Sequence, residues 1–346
     1  MSTAILGFGW LTAHGASLEG VTQAVMEGAI AEPVLLPGLS SENSLCCLRA
    51  PEADLAGVER IPRLRRASTI SHLSMAAALA ALADAGLSSD ATDCRLALLF
   101  AASDGSVVYT RRFFADLVER GTQAGSPLLF PETVYNAPAS HIAAKLGICG
   151  TTSTVVGDST AALHAIAMAE DLLATGECTH CLVVAAEELD WVVTEAYGTW
   201  GLGRRGKPIF SEAAAAIVLG MDGEHSLAVD VGRNYASRSE AKIALKASFG
   251  TLPIQTLPAM VFGSGSGAEP GCGPWFDACE RAAILENFGE IEQIHPRLSL
   301  GEAFAASTLA QIILAARLST CSNPTLVSVL GWNGQCGSAL LERMPR

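Results

Sequence analysis

The sequence is poor in positive charge and has no long apolar run. Its 22 Lys and Arg are outnumbered by 35 Asp and Glu, giving a net charge of -13. This excess of negative charge argues against nucleic acid as a partner, because phosphates are bound through Lys and Arg. No uninterrupted apolar run approaches the roughly 18 residues that span a bilayer, and Met1 to Leu11 lacks the basic start of a signal peptide. We therefore expect a cytoplasmic protein with neither a nucleic-acid nor a membrane partner.

Closely spaced cysteines are also scarce. The ten cysteines are scattered along the chain, which does not resemble a secreted disulfide framework. Cys178, His180 and Cys181 supply only half of a zinc site, and no second cluster has the spacing to complete four ligands. We expect no metal and no other cofactor.

What is present is a large apolar fraction arranged in alternating strands and helices. Half of the 346 residues are hydrophobic, enough for a sizeable core in one large or two ordinary domains. Short apolar runs predict strands at Thr3–Phe8, Arg95–Ala101, Ser153–Val156, Leu182–Ala186 and Ala213–Leu219. Helical stretches between them are predicted at Ser68–Ala85, Thr110–Arg120, Ser140–Leu146 and Thr160–Ala174. The pattern indicates α/β layers with helices covering buried sheets.

A second round of the same alternation follows. It consists of predicted elements at Ala259–Phe262, Gly273–Asn287, Ile291–His295, Glu302–Leu318, Thr325–Trp332 and Ser338–Leu341. Two successive rounds suggest a duplicated unit. We place its halves at residues 1–222 and 223–346, within one compact unit.

One strand-to-helix turn carries the most specific signal. The strand Ser153–Val156 turns at Gly157 into the Ala-rich helix Thr160–Ala174, with Ser159 at the turn. Unpaired amides and the positive end of the dipole stabilise a nucleophile or an oxyanion at such a point. Asp158 and Ser159 are equally favoured as helix N-caps, so capping stays open as the alternative. The helix is apolar on nearly every face, which predicts a central position.

This turn resembles the nucleophile turn of the β-ketoacyl-ACP synthases of the thiolase superfamily, with serine where the condensing enzymes carry cysteine. Other segments match the family in order and spacing, namely Ile5–Gly15, Arg65–Ser68, Asn136–Gly147, Gly176–Glu188 and Ile209–Leu219. The resemblance implies the thiolase fold, in which duplicated βαβαβ halves form five layers, α-β-α-β-α.

The second half departs from the condensing enzymes. Family members use two histidines to stabilise the enolate formed when the malonyl unit loses carbon dioxide. The matching positions here hold Phe262 and Glu302, with Arg297 in the family's lysine position. Phenylalanine cannot donate a hydrogen bond, and an ionised glutamate repels an oxyanion. The family's Gly-Phe-Gly-Gly loop appears as Gly331, Trp332, Asn333 and Gly334, which we call the gate loop.

A family scaffold without its condensing residues resembles the chain-length factor of heterodimeric ketosynthases, as in aryl polyene and type II polyketide systems. This resemblance implies a non-catalytic subunit whose partners are an active β-ketoacyl-ACP synthase and acyl carrier protein. Two alternatives stay open: a serine-dependent acyltransferase or decarboxylase on acyl-ACP or acyl-CoA, and a homodimeric scaffold. In the first, Glu302 acts as a base toward Ser159; otherwise Glu302 is expected to form an ion pair with Arg297.

The resemblance also indicates a dimer interface and a tunnel segment. We expect a dimer with Ser153–Val156 near the two-fold axis. In the family, the region matching Ser103–Gly121 crosses the interface and limits the partner's acyl tunnel. Tyr109, Phe113 and Leu117 follow at intervals of four and predict one apolar stripe on a helix. The stripe lines the partner's tunnel or packs on the chain's own core.

Overall fold

The computed structural model describes residues 3–36, 45–87, 95–199, 209–265 and 275–344. Strands lie at β1 (Thr3–Leu11), β2 (Val34–Leu36), β3 (Leu45–Leu48), β4 (Leu96–Ala102), β5 (Thr152–Val156), β6 (His180–Glu187), β7 (Phe210–Ser211), β8 (Ala213–Gly220), β9 (His225–Asn234), β10 (Met260–Phe262), β11 (Glu292–Ile294), β12 (Thr325–Leu330) and β13 (Gln335–Arg343). Helices lie at α1 (Leu18–Met26), α2 (Thr69–Asp84), α3 (Val107–Arg120), α4 (Ala137–Leu146), α5 (Ala161–Ala174), α6 (Trp191–Thr199), α7 (Arg238–Thr251), α8 (Trp275–Phe288), α9 (Pro296–Leu300) and α10 (Phe304–Leu318). Among the described helices, none has the length and apolar character that a bilayer crossing requires.

Ten of the strands form one sheet whose order repeats. The order is β11-β10-β12-β13-β9-β1-β8-β6-β4-β5. In the first half, β5, β4 and β6 are parallel, and β8 and β1 follow as antiparallel strands. In the second half, β11, β10 and β12 are parallel, and β13 and β9 follow as antiparallel strands. The halves join where Thr3–Ile5 of β1 pairs with His225–Leu227 of β9. The predicted duplication is therefore present in the strand order, whereas the division at residues 222 and 223 into two halves stays a prediction.

The helices complete five layers around these strands. Helices α2 and α4 share an apolar cluster with one face of β4, β6 and β8. Helices α5 and α10 fill the cluster between the two halves of the sheet, and α7 and α8 cover the outer face of β12 and β13. The α-β-α-β-α arrangement expected from the resemblance is confirmed.

Close packing of β1 on α2 explains two glycines near the start of the chain. A Cβ on Gly7 would overlap the Ala81 carbonyl, and one on Gly9 would overlap the Ala77 carbonyl. Any larger residue would push the helix away from the sheet, because interiors are close-packed. Packing thus explains Gly7 and Gly9 within the segment Ile5–Gly15.

The helix that is enclosed on all sides is α10 rather than α5. Every α10 residue from Phe304 to Ala316 is buried. Helix α5 leaves Met168 exposed, and its neighbour β5, at the edge of the sheet, leaves Val156 exposed. The predicted central position of α5 is confirmed, but α5 is less completely enclosed than α10 within this chain, because its neighbour β5 is an edge strand.

Several elements were missed by sequence reasoning. They include β9, which joins the halves, and the helices α1, α6 and α7. Strand β9 mixes half-buried with exposed positions, so it gives no continuous apolar run. The last predicted strands also differ, since β12 ends at Leu330 and the gate loop lies between β12 and β13.

Candidate functional site

Ser159 lies at the carboxyl end of β5, one residue before the helix cap Thr160. Its side chain is fully buried, and its Oγ has no hydrogen-bond partner among the described residues. Ser159 therefore does not cap the helix. It is also without a base, since a serine hydroxyl needs a neighbouring acceptor to become a nucleophile.

Asp158 forms a hydrogen bond within the turn before α5 and also reaches the gate loop. Its carboxylate accepts hydrogen bonds from the Thr160 amide at 3.2 Å and from the Asn333 amide at 2.9 Å. A Cβ at Gly331 would overlap this carboxylate, so a larger residue there would displace it from these hydrogen bonds. The Tyr235 hydroxyl donates to the Gly331 carbonyl at 2.5 Å. The gate loop is thus fixed against the serine turn.

Glu302, which the resemblance matches to the second histidine, is a fully buried carboxylate. The Arg297 Nη1 lies 2.5 Å from Glu302 Oε2, and the Phe304 amide donates to Oε1 at 2.8 Å. The Trp332 indole N–H donates to Oε2 at 3.4 Å. Burial raises the pKa of Glu302, and the Arg297 charge opposes that rise. Both oxygens are engaged, and no hydrogen bond joins Glu302 to Ser159 in the described residues.

The Arg297 guanidinium is buried with its partner and is only partly satisfied. Its Nε and Nη2 have no hydrogen-bond partner among the described residues. A buried pair offsets its desolvation only when its remaining groups are also bonded. The ion pair therefore contributes little net stabilisation to the site.

Phe262 ends β10 and is part of the core between the sheets. It is fully buried, in the same cluster as Ala161 and Ala306. The segment that follows is held by the buried Glu280 carboxylate, which accepts from the amides of Ser264 and Gly265 and from the Ser328 hydroxyl. Ser264 and Gly265 are thus held in place, yet the Phe262 side chain before them offers no hydrogen-bond donor.

An aromatic cluster packs beside Glu302. Phe304 is the first residue of α10. Its ring centroid lies 5.3 Å from that of Tyr197 and 6.0 Å from that of Phe210. Its φ of 42° is the positive value of a non-glycine residue, a conformation that costs on the order of 1–3 kcal/mol. Strain of this kind concentrates at functional sites, and sequence reasoning had no signal for it.

Buried carboxyl groups lie behind the serine turn at the ends of β4 and β6. Glu187 accepts from the amides of Ser103 and Asp104, and the Ser103 hydroxyl donates to the Gly157 carbonyl. The Tyr197 hydroxyl donates to Asp104 at 2.9 Å. Burial raises the pKa of Asp104 to about 6 and that of Glu187 in the same direction. This network supports the turn without contacting Ser159.

The predicted stripe on α3 packs on its own following segment. Phe113 stands 5.5 Å from Phe130 between ring centroids, and a Cβ on Gly125 would lie 3.1 Å from Leu117. Tyr109 stacks under the Arg112 guanidinium. No residue of α3 is buried, and no described contact joins the stripe to Ser159, the gate loop or Glu302.

Comparison with known proteins decides the family. A model of the β-ketoacyl synthase N-terminal domain matches residues 40–223, just over half of the chain. The chain belongs to the β-ketoacyl synthase family. No curated protein matches this synthase-family chain significantly.

Solved structures share the fold of this β-ketoacyl synthase-family protein. A β-ketoacyl synthase from Burkholderia phymatum STM815 superposes with a TM-score of 0.83 at 17% identity, covering 99% of this chain and 100% of that chain. The ishigamide ketosynthase/chain length factor gives 0.79 at 16% identity, with 100% of both chains covered. The ketosynthase (ApeO) in complex with its chain length factor (ApeC) from Xenorhabdus doucetiae gives 0.78 at 15% identity, covering 99% of this chain and 98% of that chain. The expected thiolase-type fold is confirmed.

Within this family fold the structure links some predicted site residues and separates others. Ser159, the gate loop and Glu302 are joined through Asp158 and Trp332, whereas the stripe Tyr109, Phe113 and Leu117 lies apart. Sequence reasoning missed Asp158 as a link, and it missed Glu280 and Tyr197. In the described residues, no group of three or more His, Cys, Asp or Glu side chains is placed to hold a metal.

Proposed function

We propose that this chain is a ketosynthase-like chain-length factor. It pairs with an active β-ketoacyl-ACP synthase and shapes that partner's acyl tunnel in fatty acid or polyketide biosynthesis of the aryl polyene type. It does not condense acyl units itself. The observation that carries the proposal is the buried Arg297–Glu302 ion pair in the position where a condensing enzyme needs a histidine.

The state of the three catalytic positions supports the absence of condensation. Ser159 has no base, Phe262 has no donor, and Glu302 presents an acceptor that is already engaged. Losing one oxyanion donor typically costs about 10²–10³ in rate. With two donors and the thiol all replaced, the loss of condensing activity is effectively complete.

The edge at β5 supports pairing with a second protein. Strand β5 pairs with β4 on one side, ends the order of the sheet and leaves Val156 51% exposed. Exposed edge strands bind further strands readily, and clustered apolar surface marks interfaces. Met168 on the neighbouring helix α5 is exposed as well. An active synthase is the partner we propose for it.

The tunnel role is assigned to the stripe of Tyr109, Phe113 and Leu117. Helix α3 is anchored at its start, where Arg111 forms a 2.8 Å ion pair with Asp190. The remainder of the helix is half-exposed together with the large apolar side chain of Phe114. Although Phe113 packs on Phe130, all three residues of the stripe stay partly exposed, and this exposed part is what closes the cavity in the partner.

Co-expression tests the proposal. We expect this chain to co-purify with an intact Cys-His-His synthase encoded beside it, and to make no 3-oxoacyl product from acyl-ACP and malonyl-ACP when purified alone. Val156→Lys should weaken the complex at least about ten-fold, equal to about 1.4 kcal/mol. Ile243→Lys, at an exposed apolar position on α7, is the matched control and should leave it intact.

Other outcomes would replace the proposal. Condensation by the purified chain at an ordinary synthase rate would end it. Acylation of Ser159, seen by mass spectrometry after incubation with acyl-ACP or acyl-CoA, would favour a serine-dependent acyltransferase. A stable homodimer that binds none of the candidate synthases would favour a homodimeric scaffold.

A further inference from the structure

Two departures from the family pattern contact one another. The gate loop carries Trp332 where the family has phenylalanine, and the second histidine position holds Glu302. The first change adds an indole N–H donor, and the second adds a carboxylate acceptor. In the structure the Trp332 Nε1 donates to Glu302 Oε2 at 3.4 Å. The distance is long for such a bond, but the acceptor is a buried carboxylate that Arg297 pairs with, and bonds to charged groups are the stronger ones.

The gate loop is also held from the other half of the chain. The Asn333 amide donates to Asp158 at 2.9 Å, beside Ser159. Trp332 itself packs against two apolar clusters, those around Leu330 and around Phe304. The loop is therefore held by a carboxylate on each side, and Ser159 is fully buried.

We propose that Trp332 and Glu302 form a latch that keeps the gate loop closed over Ser159. Trp332 acts as a positioning residue, and Glu302 accepts its indole N–H. The latch rests on the proposed function only in that Ser159 of this chain is not used for condensation. It requires no partner, so it is tested on the purified full-length chain.

The experiment uses a thiol reporter at the serine position. In a Ser159→Cys background, alkylation by iodoacetamide is followed peptide by peptide, because the chain has ten other cysteines. Trp332→Phe removes the indole donor and keeps an aromatic ring. Trp191→Phe makes the same change on α6 and is the control. We expect Trp332→Phe to raise the labelling rate of the introduced thiol by about five-fold, the effect of losing one hydrogen bond on a local opening.

Hydrogen exchange provides a second readout in the native-serine protein. The Asn333 amide should exchange about five-fold faster in Trp332→Phe, with amides of β4 and α10 unchanged. If Trp332→Phe does not fold, the Trp332 indole proton of the unmodified chain is measured by NMR. The latch predicts that it exchanges as slowly as the Asn333 amide.

Three results would overturn the latch. One is a labelling rate in Trp332→Phe equal to that of Trp191→Phe. Another is faster exchange spread evenly over both halves of the sheet, which would assign Trp332 to overall stability. The third is an indole proton in the unmodified chain that exchanges freely. None of these results bears on pairing with a synthase, which the co-expression experiment decides separately.

Discussion

Removing the charge of Glu302 should destabilise the protein more than an ordinary buried substitution does. Glu302→Gln keeps an oxygen for the Phe304 amide, which donates to Glu302 at 2.8 Å. It leaves the Arg297 guanidinium buried without a counter-charge, with Nε and Nη2 already unpartnered in the described residues. Breaking a buried pair in this way costs about 3–5 kcal/mol.

The expected fall in melting temperature follows from the size of the chain. Unfolding entropy of about 2.1 cal/mol/K per residue gives about 0.7 kcal/mol/K for 346 residues. A loss of about 3–5 kcal/mol therefore lowers the melting temperature by about 4–7 °C. Differential scanning calorimetry at fixed protein concentration measures this shift, since association would otherwise change it.

The double variant Arg297→Met with Glu302→Gln tests the reasoning. Replacing both members of a buried ion pair is often neutral, so we expect most of the lost stability to return. Arg297→Met alone should lose more stability at pH 8 than at pH 5, because burial raises the pKa of Glu302 and the unpaired carboxyl folds best when protonated. If the two single effects simply add, within about 0.5 kcal/mol, the pair does not interact and the argument fails.

Three further predictions concern pH, the tunnel and the gate loop. Burial raises the pKa of Glu188 to about 7, so between pH 5 and pH 7 the folded state holds a proton that the unfolded chain loses. The melting temperature should therefore fall from pH 5 to pH 8. A flat or rising profile would contradict this prediction. In the heterodimer, Phe113→Ala should lengthen the product by at least one extension unit with folding intact. The control Phe114→Ala on the same helix should leave the product length unchanged. An unchanged product length with a large fall in melting temperature for Phe113→Ala would show that Phe113 belongs to the chain's own packing. Gly331→Ala should lower the free energy of unfolding by about 2 kcal/mol or more, because the added Cβ overlaps the Asp158 carboxylate. The control Gly250→Ala has open space around it and should have no such cost. Equal melting temperatures of the two variants would refute this prediction.

Much of the fold could be predicted from local pattern. Apolar runs located β4, β6 and β8, and Gly157 marked the turn before Ser159, because buried strands and turns depend on short stretches of sequence. The absence of imidazole donors at Phe262 and Glu302 could also be predicted, since the functional groups of a side chain are set by its residue type. The same reasoning missed β9, whose half-buried positions give no apolar run.

Tertiary structure alone decided how these residues meet. Asp158 and Asn333 are 175 residues apart, and only the packing of the two halves brings them within hydrogen-bond distance. Glu302 and Trp332 are 30 residues apart, and only the fold of the second half brings them together. The same holds for the stripe on α3, which packs against Phe130 and Gly125. Helical spacing fixes which side chains share a face, but the surface that this face contacts depends on where the rest of the chain folds.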